Sequence, residues 1–141
     1  SRVLKKDGIA LFLTSPKNCL CELFEAMEEF DSRFKNLLRN LEIHRFNDES
    51  APALLSGYFG EVTEKVYEVS LYVTWQHPKG KSGAQVVLDY FRSSPLIKEL
   101  EIEPELWPKA AEYLEMKIRE ADEKGWPITN DRVAYLCKSP K

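Results

Sequence analysis

Cys19, Cys21, Cys137, His44 and His77 are the side chains of this sequence best suited to hold a soft metal or act as nucleophiles. A structural zinc site asks for thiols or imidazoles in pairs, typically with two to four residues between them. Cys19 and Cys21 stand too close for that on a stretch that reads as helix, which turns the two thiols to different sides. Nucleophilic catalysis asks for a base within hydrogen-bond reach of a hydroxyl or thiol, and neither histidine sits in such a context. Glu22, Glu25 and Glu29 recur at helix-surface spacing and read as a solvated stripe. These residues imply no catalytic set, no metal and no cofactor, and a chain that binds rather than catalyses.

Gly80-Lys81-Ser82 follows a predicted strand and opens a predicted helix, the setting in which backbone N–H groups and a lysine cradle phosphate. A full phosphate-binding loop needs a glycine five positions before Gly80, where Trp75 stands. The reading that survives is a polar turn, with Lys79, Lys81 and Ser82 as a candidate anion site at the helix N-terminus.

A second group of candidates is aromatic. Phe12, His44, Phe46 and Tyr72 fall on predicted strands, and Tyr58-Phe59 is an apolar pair between Gly57 and Gly60 in a predicted loop. Large aromatics on one sheet face or one exposed loop are the anchors by which a domain grips another chain.

The elements that must position them follow from periodicity. Residues 8–14 are a short apolar run and predict a strand, after which Ser15-Pro16 supplies a cap and a first-turn proline. Leu20, Leu23, Phe24, Met27, Phe30, Phe34, Leu37, Leu38 and Leu41 recur at steps of three and four, predicting a helix that Asp31-Ser32 can break. Residues 41–46 and 66–76 alternate and predict strands; 51–60 predict a short helix or ordered loop; 84–92 predict a helix and 96–102 a fourth strand. Trp107, Ala110, Ala111, Leu114, Ile118 and Ala121 form the stripe of a long helix ending at Gly125, and 132–137 are a last strand or helix. The expected fold is α+β: a ferredoxin-like β-α-β-β-α-β sandwich over 8–102 within a single domain, with 103–141 as a helical C-terminal extension.

Residues 11–15 (LFLTS) followed by 19–31 (CLCELFEAMEEFD) resemble the start of an ACT-type regulatory domain, over roughly residues 8–102. The resemblance implies a ferredoxin-like fold and a regulatory role, with a ligand beside the first strand-to-helix turn. That turn is a glycine position in ACT domains and is Ser15-Pro16-Lys17-Asn18 here. The same element order is similar to RNA-recognition motifs, which stack bases on aromatics of the sheet. That second resemblance implies base stacking on Phe12 and Tyr72, with Phe46 and His44 beside them.

The net charge of −3, from 20 basic and 23 acidic residues, argues against a general nucleic-acid binder. Across 141 residues, 43% hydrophobic and 30% charged is the composition of a folded domain. No apolar run approaches the roughly 18 residues that cross a bilayer. Three cysteines make an odd set in a chain large enough to need no staples, which points to a reducing, intracellular location, cytoplasmic or nuclear. We expect a regulatory or protein-interaction domain, part of a larger chain or complex, gripping a protein partner or a second copy of itself. The alternative is single-stranded nucleic-acid binding on sheet-face aromatics; no membrane is involved in either.

Overall fold

Among the described residues, five strands, five helices and one 3-10 turn follow in order. The computed structural model describes residues 4–35, 46–75, 80–121 and 123–141, with backbone alone at 96 and 99. The elements are β1 (Ala10–Thr14), α1 (Cys21–Phe30), the 3-10 turn Ser32–Phe34, α2 (Ala51–Tyr58), β2 (Phe59–Tyr67), β3 (Ser70–Val73), α3 (Gly83–Ser93), α4 (Pro95–Glu99), α5 (Leu106–Glu120), β4 (Trp126–Thr129) and β5 (Arg132–Pro140). The mixed helix-and-strand class is as expected.

The arrangement of strands differs from a ferredoxin-like sandwich. Among the described residues they form a three-stranded sheet in the order β1-β5-β2 and a separate two-stranded sheet β3-β4, not one four-stranded sheet. Residues 103–141 are not a helical extension either, because β5 is the central strand of the larger sheet. It pairs antiparallel with β1, Phe12 facing Tyr135, and antiparallel with β2, Thr63 facing Leu136.

Residues group into two compact units, each discontinuous in sequence: 1–19, 42–69 and 129–141 in the first, 20–41 and 70–128 in the second. In the first, the alternation of β5 turns Val133, Tyr135 and Cys137 to a core completed by Ala51, Leu55 and Phe59, with Leu4, Ala10, Phe12 and Val62 packed against it. Leu11 and Leu13 alternate to the other face and are exposed.

The second unit is built on helices. Of the predicted stripe of α5, Ala110, Leu114 and Ile118 are buried and Trp107, Ala111 and Ala121 partly so, and Leu106, which the stripe did not include, is buried as well. The buried residues of α5 meet Leu23, Phe24 and Met27 of α1, Val87, Leu88 and Phe91 of α3, and Phe34. Phe24 and Phe91 stand edge to face at 5.2 Å between centroids, a pairing that adds about 1 kcal/mol to the area buried.

Four local expectations are corrected. Helix α1 starts at Cys21 rather than at Pro16, behind Leu20 in the left-handed region at φ 65. The predicted strand 66–76 is two strands, broken where the Val69 N–H donates to Asp131 Oδ1 at 2.9 Å and Asn130 donates to the Val69 carbonyl at 2.8 Å. Residues 96–99, expected as strand, are helical, because Pro95 at the first helical position favours a helical start over a ladder. Phe59 opens β2 and is buried, not set in a loop. The predicted strand 41–46 falls outside the described residues but for Phe46.

Candidate functional site

Segment 46–50 carries the local chemistry that builds the site. Asn47, a buried polar residue, accepts through Oδ1 from the backbone N–H groups of Glu49 and Ser50 at 3.1 and 2.9 Å. Its own N–H donates to Ser50 Oγ at 3.0 Å. This reciprocal loop satisfies donors that the start of α2 leaves open, a role that suits Asn and Ser. The segment is then tied to its neighbours. Thr14 Oγ1 donates to the Phe46 carbonyl, Tyr135 Oη donates to the Asp48 carbonyl at 3.3 Å, and the Lys17 N–H donates to Asp48 Oδ1 at 2.9 Å. Lys17 Nζ also pairs with Glu49 at 3.2 Å.

So held, Phe46 leans over β1 and β5. Its ring lies 6.3 Å from that of Phe12 and 6.4 Å from that of Tyr135. Phe12 in turn meets Phe59 edge to face at 5.9 Å. On the far side α2 presents Leu54 and Leu55 and, one helical turn later, Tyr58. The Lys141 N–H donates to the Tyr58 carbonyl at 2.8 Å, and Lys141 Nζ to the Ser56 carbonyl at 2.6 Å, fixing the last residues against the end of α2.

These residues, with Leu4 and Pro140, line a cavity of about 460 Å³ within the first unit. Its wall is almost wholly apolar. Phe59 and Leu55 are buried at its floor, while Leu54 and Tyr58 stand at the rim, 52% and 70% exposed. A volume of this size falls in the range of about 300–1,000 Å³ typical of ligand sites. Among the described residues it offers no convergent acid, base or metal ligand, so its chemistry is burial of apolar surface, with Lys141 the one charged lining residue among them.

Tyr135 behind this wall has its phenol pushed up to about 12, first by burial and then by the nearby Glu64 carboxylate. Neither Cys21 nor Cys137 has an activated thiol. Burial holds Cys137 above the ordinary thiol range and raises Cys21 to about 11, with Glu22 adding to the second. Cys19 Sγ lies 3.3 Å from a guanidinium nitrogen of Arg132, which also donates to Ser15 Oγ and to the carbonyls of Asn130 and Asp131. That guanidinium pins the turn after β1 to the turn before β5.

Of the aromatic candidates, the structure brings Phe12, Phe46, Tyr58 and Phe59 to one cavity. Tyr72 is half exposed on β3, in the smaller sheet, so it shares no sheet surface with Phe12. His44 lies outside the described residues, as do Lys79 and His77. At the candidate anion site, Ser82 Oγ accepts from the Gln85 N–H at 3.2 Å and caps α3. Lys81 Nζ donates to Asp89 Oδ2 at 2.6 Å, and this bond holds the Asp89 carboxyl below its ordinary range. Lys81 thus has an anion within its own chain. Sequence reasoning missed Leu4, Leu54, Leu55 and Pro140; the LL pair beside Tyr58-Phe59 was the available signal.

Among the described residues no helix is long and apolar enough to cross a membrane, and no group of three or more His, Cys, Asp or Glu is placed to hold a metal ion. Compared with known proteins, the chain matches no family model and no curated sequence.

Proposed function

We propose that the chain is a non-catalytic protein-interaction or regulatory module, and that the cavity between α2 and the β1-β5 face receives apolar side chains of a partner polypeptide. The observation that carries this is the convergence of Phe12, Phe46, Tyr58 and Phe59 with Leu54 and Leu55 on one open apolar cavity. Aromatic anchors around a desolvated pocket are the usual bearers of binding energy between proteins. Each large side chain moved from water into such a site contributes about 1.5–3 kcal/mol. The ring of Tyr58, exposed and rigid, supplies contact area at low entropic cost.

Stacking of nucleic-acid bases has less support. It calls for aromatics in line on one sheet, whereas Phe12 and Tyr72 belong to two sheets. Of the most basic stretch, residues 33–45, Arg33 and Lys35 are described, and Arg33 is engaged by Asp31 at 2.9 Å and by Glu103.

The test is affinity capture on immobilised wild-type chain and on Leu54→Glu, each with and without nuclease. Leu54 is half exposed, so a charge there is compatible with folding. Proteins retained by the wild type after nuclease treatment are expected to be lost on Leu54→Glu, by a factor of about 30 or more for a hot-spot residue. Equal retention by both chains, or release by nuclease, would count against the reading.

A further inference from the structure

Strand β2 is an edge. Its inner side pairs with β5 along its length, and among the described residues no strand pairs with its outer side. Its nine residues contain no proline, so none of its outward N–H groups is missing as a ladder donor. The strand is exposed from Thr63 to Tyr67, and Glu61 is exposed as well. Glu61, Thr63 and Lys65 face Lys138, Leu136 and Ala134 of β5, which puts all three on one face of the sheet. Among the described residues neither Glu61 nor Lys65 is in a salt bridge, although Glu61 stands across the ladder from Lys138; Lys65 Nζ rests 4.9 Å above the Tyr67 ring.

The sequence of this edge is self-complementary in one register. We infer that β2 pairs antiparallel with β2 of a second copy of this chain, about a two-fold axis at Thr63. Opposite residues of an antiparallel pair share a face, so such an axis passes through a residue and not between two. Thr63 is the midpoint of Phe59–Tyr67, so this centre overlaps all nine residues. It sets Thr63 against Thr63 and Glu61 of each copy against Lys65 of the other, giving two opposite-charge pairs. Centring on Glu61, Glu64 or Lys65 sets like charges directly opposite, which is destabilising. Centring on Val62 forms no charge pair and leaves the end of the strand unmatched. Register of greatest overlap and register of charge complementarity therefore coincide. The result is a continuous six-stranded sheet that leaves no β2 edge open.

This pairing does not rest on the cavity reading, because its charge pairs lie on the opposite face of the sheet from Phe12 and Tyr135 and only Phe59, at the end of the overlap, also lines the cavity. Its test is sedimentation equilibrium of the wild type, Glu61→Lys, Lys65→Glu and the double exchange, with circular dichroism on each. The wild type is expected to dimerise. Each single reversal turns two attractive pairs into two repulsive ones and is expected to weaken the dimer about tenfold or more. The double exchange restores the pairs with their signs swapped and is expected to recover the wild-type constant. Leu54→Glu is expected to dimerise as the wild type does. A wild type that stays monomeric to millimolar concentration, a dimer indifferent to both single reversals, or a double exchange no tighter than either single would overturn the inference.

Discussion

At the scale of single residues, polar groups here serve geometry. Asn47 is spent on the start of α2, Ser82 on the start of α3, and Arg132 on two turns. The carboxyl of Asp31 is lowered first by the Arg33 side chain and then by the Arg33 backbone N–H, which together hold it at about 2. Because the folded value lies below the unfolded one, the stabilisation it brings is present above pH ~4 and is lost as pH falls toward 2. Asp31→Asn is expected to remove that part of the acid limb. Chemical denaturation of both proteins across pH 2–5 checks it, and parallel profiles would show that the pair adds nothing. The aromatic candidates were legible at this scale, since Phe12, Phe46 and Tyr58-Phe59 are conspicuous by type alone. Their convergence was not, because it depends on Asn47 and Thr14 placing Phe46, and no spacing rule links residues 14 and 46.

At the scale of elements, helices were read better than strands. The stripe of α5 and the apolar spacing of α1 are written within one helix, so a periodicity of three and four reveals them. Strand pairing is written between distant segments. Nothing near residues 132–140 announces that they form the centre of a sheet whose neighbours begin at 10 and 59. The break between β2 and β3 was hidden for the same reason, since Asn130 and Asp131 make it. The role of β5 carries its own prediction. Both β1 and β2 pair only with β5 in the described sheet, so a chain ending at residue 130 is expected to lose protection of the β1 and β2 amides together. Hydrogen exchange is the check, and retained protection in β1 would mean that the sheet does not depend on its central strand.

At the scale of the whole molecule, the chain passes between its two compact units at 19–20, 41–42, 69–70 and 128–129. A sequence read from one end as a single βαββαβ run cannot show that interleaving, and the fold-level expectation failed there while the α+β class held. The first unit contains the cavity, the self-complementary edge of β2 and the exposed leucines of β1; the second is a helical core that also carries the β3-β4 pair, and its ion pairs, such as Lys117 with Glu29 at 2.7 Å, are surface contacts. We propose that recognition belongs to the first unit, through apolar burial at one face and strand pairing at one edge.

The most direct measurement is photo-crosslinking in a cell extract from a benzoylphenylalanine placed at position 58, the exposed rim of the cavity, with the cross-linked peptides sequenced. A cross-link to apolar residues of a different polypeptide, absent when Leu54→Glu is added, is the predicted result. Cross-links to nucleic acid alone, to this chain alone, or to nothing would contradict the assignment of the cavity to a protein partner.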